Sequence, residues 1–121
     1  MEKKILVIDD DAAVRKAFMM ALEDTGHVVR TAASGDEALK EVENNHYDLF
    51  FLDLKMPGMN GVETLIELRR MGITSPVYIV TGFHREFIDQ LKQAEREGAD
   101  FELFQKPISE EQILMVVRSS L

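Results

Sequence analysis

No cysteine occurs among the 121 residues, which removes disulfides, a thiol nucleophile and thiolate metal sites together. Long apolar runs are missing as well. The start, Met1-Glu2-Lys3-Lys4, leads into only four aliphatic residues, Ile5 to Ile8, too short for a signal peptide or a membrane span. Positive charge is scarce. With 14 Lys and Arg against 22 Asp and Glu, the formal charge is −8, whereas direct nucleic-acid binding needs clustered cations to displace counterions. No linker-like stretch, low-complexity segment or internal repeat breaks the chain. His27, His46 and His84 show no metal-ligand spacing, and His84 reads as a solvated loop imidazole. What remains is one cytoplasmic domain, residues 1–121, with no membrane partner and a hydrophobic content of 45%, enough for a single two-sided core. The seven methionines are scattered, and Met56 and Met59 read as packing residues.

Short apolar runs alternate with amphipathic segments, the pattern of repeated βα units around a parallel sheet. Ile5 to Ile8 is a continuous aliphatic strand, as burial on both faces demands. Val14, Phe18, Ala21 and Leu22 then line one face of a helix ending near Thr25-Gly26. Val28 to Ala32 is a second strand, and Ser34 with Glu37 forms a capping box for a helix burying Ala38, Leu39 and Val42. Leu49 to Leu52 is the third strand. Pro57 to Gly61 forms a non-helical loop, followed by a helix from Val62 to Met71. Val77 to Val80 is the fourth strand, with Thr81 at its tip. A helix from Arg85 to Glu97 buries Phe87, Leu91 and Ala94 and exits through a left-handed Gly98. Phe101 to Phe104 is the fifth strand, and Ser109 with Gln112 caps a last helix burying Ile113, Val116 and Val117. The expected fold is α/β: a single doubly wound (βα)5 sandwich, flavodoxin-like, with a parallel sheet of order 2-1-3-4-5.

Four features stand where strands end: Asp9-Asp10-Asp11, Asp53, Thr81 and Lys106. Ligands of open parallel sheets bind outside the carboxyl ends of the strands, so that order brings all four to one pocket. Two carboxylates about 4 Å apart repel by roughly 4 kcal/mol at an effective dielectric near 20, so such a cluster calls for a cation. Hard oxygen ligands with room for water and phosphate suit Mg²⁺. Asp10 and Asp53 are the expected direct ligands, with Asp9 acting directly or through water. Asp11 is expected to cap the first helix. An acid cluster, a lone carboxylate, a hydroxyl and an ammonium describe a magnesium-assisted phosphoryl site, with Asp53 as nucleophile and Lys106 as a mobile point charge on the phosphoryl oxygens.

The runs ILVIDDD, FFLDLKMPGMNG, YIVTG and QKPI, in this order and at βα spacing, make the chain resemble a response-regulator receiver domain of two-component signalling over nearly all its length. The resemblance implies phosphorylation of Asp53 by a sensor histidine kinase or phosphotransfer protein, autodephosphorylation rather than turnover catalysis, and a switch through Thr81. It adds the backbone carbonyl of Lys55 as a metal ligand and a cis bond before Pro107 that aims Lys106 inward. The readout surface for a downstream protein or output domain would be the fourth helix, fifth strand and fifth helix, in a monomer or a phosphorylation-dependent dimer. Lys55 and Phe83 would flank the path of the attacking water and prolong the phosphoryl lifetime.

The chain departs from the family between Thr81 and Lys106. The switch aromatic three positions before the lysine is replaced by Leu103, with Phe101 and Phe104 on either side; either Phe101, the preferred substitute, or Phe104 takes the role, or the aromatic switch is absent. The stretch from Thr81 to Lys106 also looks a few residues longer than usual. A phosphatase with an aspartyl nucleophile would carry a second acid where Lys55 stands. A flavin or nucleotide binder would carry glycines and hydroxyls after the first strand, and a non-phosphorylated interaction module would not need all four groups. The sequence stops directly after the fifth helix, as in a stand-alone receiver or the regulatory part of a longer regulator.

Overall fold

The computed structural model describes residues 2–82 and 84–121, the side chain of His84 excepted. Five strands, β1 (Lys4–Ile8), β2 (Val28–Ala32), β3 (Leu49–Leu52), β4 (Val77–Thr81) and β5 (Glu102–Gln105), form one parallel sheet of order β2-β1-β3-β4-β5. Helices α1 (Ala12–Leu22), α2 (Gly35–Asn44), α3 (Gly61–Arg70) and α4 (Ile88–Arg96) lie in the crossovers, and α5 (Glu110–Ser120) follows β5. No described helix is long and apolar enough to cross a membrane.

The sheet is buried on both faces, which is why β1 and β3 read as unbroken apolar runs. On one face Leu6, Ile8, Phe50, Leu52 and Ile79 pack with Ala38 of α2, Leu65 and Leu68 of α3, and Leu91 and Ala94 of α4. On the other, Ile5, Val7, Phe51 and Val80 pack with Phe18 and Leu22 of α1 and Ile113, Val116 and Val117 of α5. Each of the Val, Leu, Ile and Phe side chains contributes roughly 1.5–3 kcal/mol of transfer free energy. The core therefore fixes the strand register, Ile8 opposite Leu52, Leu52 opposite Ile79 and Thr81 opposite Gln105, and the register fixes what stands at the strand tips.

Several local expectations shift. The fifth strand runs Glu102–Gln105 rather than Phe101 to Phe104, and the helix expected to reach Met71 ends at Arg70. The loop after β3 ends one residue early, because Asn60 and Glu63 form a capping box that makes Gly61 the first helical residue. Ser34 accepts from the Glu37 amide, but Glu37 turns to the amide of Ala33, so only half of that box forms. The segment expected as one helix from Arg85 begins as a 3₁₀ turn, His84–Phe87, and α4 starts at Ile88 with no side-chain cap. The first helix stops at Leu22, short of Thr25-Gly26. The Ser109–Gln112 box is complete, Asp11 caps α1 by accepting from the Ala13 amide, and Gly98 takes φ 88° after α4.

Candidate functional site

Backbone pairing carries each chemical group to the same edge of the sheet. The Asp53 amide donates to the Ile8 carbonyl at 2.9 Å, the Asp9 amide to Ala32 at 3.1 Å, and the Lys106 amide to Thr81 at 3.0 Å. These bonds extend the ladders by one residue and set Asp9 beside Asp53, and Lys106 beside Thr81. The Lys106-Pro107 peptide is cis. Asp9, Asp10, Asp11, Asp53, Lys55, Met56, Pro57 and Lys106 enclose a cavity of about 530 Å³.

Within it, carboxylate oxygens of Asp9, Asp10 and Asp53 all lie within 4.8 Å of one another. Asp9 and Asp53 are buried while Asp10 is exposed, so the cluster opens to solvent on one side. Asp9 is held on every polar atom named here: Oδ1 accepts from the Asp11 amide at 2.9 Å, Oδ2 from Lys106 Nζ at 2.9 Å, and its carbonyl from Arg15 Nη1 at 2.8 Å. Nothing in the sequence pattern points to Arg15, because a guanidinium reaching back to a strand-end carbonyl has no signature. Asp53 Oδ1 is different. Among the described residues it is the buried side-chain oxygen without a hydrogen-bond partner, and Lys106 Nζ stands 3.6 Å away. A hard divalent cation, which takes carboxylate oxygens and keeps water on its open side, fits this donor set.

Burial, and then the charge of Asp9, push the Asp53 carboxyl up to about 6, against the counterweight of Lys106 and of the Leu54 amide and Thr81 hydroxyl. For Lys106 burial opposes the charged form, yet the hydrogen bond to Asp9 and the charges of Asp53 and Asp9 outweigh it, so its ammonium titrates above its ordinary value. The site is short of positive charge, and the charge of Asp9 resists ionisation of Asp53.

Thr81 is fully buried at the end of β4, next to Asp53 in the balance of forces just given. The side chain of Lys55 lies on the rim and pairs with Glu86 at 3.1 Å. Phe83 and the His84 side chain, expected beside the site, lie outside the described residues. The two candidate switch aromatics separate cleanly. Phe104 packs on the α1/α5 face, its ring 5.8 Å from Tyr78, whereas Phe101 packs on the opposite face with Ile79. Strand alternation puts Thr81 on the Ile79 face, so Phe104 faces away from it. Phe101 shares that face but lies just before β5, at the end away from Gln105, the partner of Thr81. Leu103, opposite Ile79, is 42% exposed.

Known proteins share this sequence family and fold. A family model described as response regulator receiver domain matches residues 5–118. The alkaline phosphatase synthesis transcriptional regulatory protein PhoP of Bacillus subtilis is 36% identical over 121 residues, all of this chain and 49% of that protein; the chain thus spans about half the length of that curated relative. Among solved structures, the chemotaxis protein CheY4 of Vibrio cholerae superposes with a TM-score of 0.86 at 27% identity, covering 100% of both chains. A CheY-like receiver domain protein of Methanospirillum hungatei gives 0.87 at 28% identity, covering 98% of this chain and 93% of its own.

Proposed function

The chain belongs to the response-regulator receiver family of two-component systems, and from that premise we propose that residues 1–121 act as one phosphorylation-activated signalling module with Asp53 as phosphoacceptor. The observation that carries the reading is the buried Oδ1 of Asp53, which has no hydrogen-bond partner, is ion-paired with the Lys106 ammonium at 3.6 Å and lies in reach of two further carboxylates. A carboxylate oxygen that accepts no hydrogen bond, in an open cavity, is available as a nucleophile.

The donor is a phosphohistidine of a sensor kinase or phosphotransfer protein. An Asp53 carboxylate oxygen bonds to phosphorus as the P–N bond breaks, and the imidazole leaves with that electron pair. Asp10 and Asp53 would hold Mg²⁺, with Asp9 direct or through water and the Lys55 carbonyl as a further ligand. Bound there, the ion neutralises charge on the phosphoryl oxygens. Lys106 supplies a mobile positive charge at the same oxygens. Asp9 already occupies the Lys106 ammonium, so the phosphoryl group competes with Asp9 for it. Release of the phosphoryl group to water in the same site makes the module self-resetting rather than a turnover enzyme.

The product adds about −1.5 to −2 charge and three acceptors, which draw the Thr81 hydroxyl. One hydrogen bond to a charged group is worth about 1.5–3 kcal/mol, and moving a two-state equilibrium from 1:99 to 99:1 takes about 5.5. Thr81 therefore needs help from Lys106 and from repacking along α4, β5 and α5, the surface read by a downstream protein or an output domain. With Leu103 where the family places an aromatic ring, that repacking runs through a smaller, more exposed side chain. The module works in the cytoplasm, as a monomer or a phosphorylation-dependent dimer. Incubation with acetyl phosphate and Mg²⁺ followed by intact mass measurement tests the reading: wild type gains one phosphoryl group, and Asp53→Asn gains none. Equal labelling of both, or of neither, contradicts it.

A further inference from the structure

Among the described residues, two side-chain links cross from the loop after β3 to the segment after β4. Lys55 Nζ lies 3.1 Å from Glu86 Oε1, and Asn60 Nδ2 donates to Gln90 Oε1 at 3.2 Å. The links differ in kind. Lys55 lines the cavity that holds Asp53, so the first fixes a charge on its rim. Asn60 does not line it and also caps α3 through Oδ1, so the second joins two neutral amides beyond the rim.

Lys55 and Glu86 are both about half exposed, at 53% and 55%, and an ion pair so exposed is weak and exchanges readily. The cavity receives a phosphoryl anion of about two negative charges and offers it two ammonium groups. Lys106 is engaged on the inside by Asp9. Lys55 is engaged on the outside by Glu86, a monoanion in solvent, which a more highly charged group with three acceptor oxygens outcompetes.

We propose, on the reading of Asp53 as phosphoacceptor, that Glu86 regulates the site: it holds the Lys55 ammonium outward at rest, and a phosphoryl group entering at Asp53 takes Lys55 in exchange. The exchange frees Glu86 and loosens the 3₁₀ turn His84–Phe87 from the loop after β3. That turn lies between Thr81 and α4, so the ion-pair exchange reports occupancy of Asp53 to α4 by a route additional to the Thr81 hydroxyl.

Initial rates of labelling by acetyl phosphate in Mg²⁺ test this. In that reaction the new Asp53 O–P bond forms as the P–O bond to acetate breaks, and acetate leaves with the electron pair. Glu86→Gln is expected to label about two- to five-fold faster than wild type, the scale of an exposed ion pair, and Lys55→Gln slower. Most of the Glu86→Gln gain disappears in the Lys55→Gln background, because coupled residues are not additive. Gln90→Ala labels like wild type, and 1 M salt erases the Glu86→Gln gain by screening. Urea midpoints show that each variant is folded. Equal rates for Glu86→Gln and wild type, a gain that persists without Lys55, or the same gain from Gln90→Ala overturns the exchange. A wild type that takes no label overturns the phosphoacceptor reading beneath it, an outcome distinct from label taken at equal rates.

Discussion

Lys106 and Asp9 stand 97 positions apart in the chain, and the lysine Nζ donates to the aspartate Oδ2 at 2.9 Å. This bond, more than the longer 3.6 Å approach to Asp53, sets where the ammonium rests. It compensates a carboxylate that is almost wholly removed from water, so the pair closes the sheet between β1 and β5 although the two strands are not neighbours.

Removing one member of such a pair leaves the other buried and uncompensated. Lys106→Ala is expected to lose about 1–3 kcal/mol of stability in divalent-free buffer. Mg²⁺ restores part of that loss and stabilises the variant more than it stabilises wild type, since a cation that binds only the folded state adds its binding free energy to folding. Urea unfolding with and without Mg²⁺ measures both effects.

Asp53 gives the pH dependence. Its folded carboxyl is pushed up to about 6 from an ordinary 3.8, so between these values the folded state keeps a proton that the unfolded chain releases. Stability without divalent ions therefore falls as pH rises from about 4 to about 6, by roughly 2–3 kcal/mol. Asp53→Asn abolishes that fall and is more stable than wild type at pH 7. Urea midpoints across this pH range, in EDTA, provide the check.

Gly61 supports Asp53 from below. A Cβ at this position would sit 2.2 Å from the Asp53 carbonyl oxygen and 2.7 Å from the Leu54 Cα, both backbone atoms that cannot swing aside. Gly61→Ala is expected to cost about 1–3 kcal/mol and to weaken Mg²⁺ binding, because the tip of β3 must move. Titrating Mg²⁺ by calorimetry alongside urea unfolding separates the two losses.

Asp10 should behave in the opposite way. It is exposed and belongs to the carboxylate cluster, so Asp10→Ala changes stability by no more than about 0.5 kcal/mol. Its Mg²⁺ affinity falls at least ten-fold, on the scale of losses at metal sites. The same calorimetric titration reads the change.

Much of this architecture was legible because its signals are local or periodic. The unbroken apolar runs from Ile5 to Ile8 and from Leu49 to Leu52 cannot be surface strands, and both match the structure. Once strand order follows from βα alternation, the positions of Asp9, Asp53, Thr81 and Lys106 at strand ends follow as geometry. What the sequence concealed depends on partners distant in the chain or on competing local bonds. Gly61 looked like a loop residue, since nothing in PGMNG reveals that its missing side chain is needed for the close approach to Asp53. Glu37 had the spacing of a capping box and chose the Ala33 amide instead. Arg15 on the Asp9 carbonyl and Glu86 on Lys55 are contacts that no spacing encodes.

The account rests on Asp53 forming an acyl phosphate, and reduction with borohydride addresses that bond directly. Aspartyl phosphate is reduced to homoserine, whereas a free carboxylate is untouched. After treatment with acetyl phosphate and Mg²⁺, peptide mass spectrometry is expected to find homoserine at position 53, and to find none when EDTA replaces Mg²⁺. Homoserine at another aspartate, or an unaltered Asp53 in protein that has gained a phosphoryl group, would contradict it.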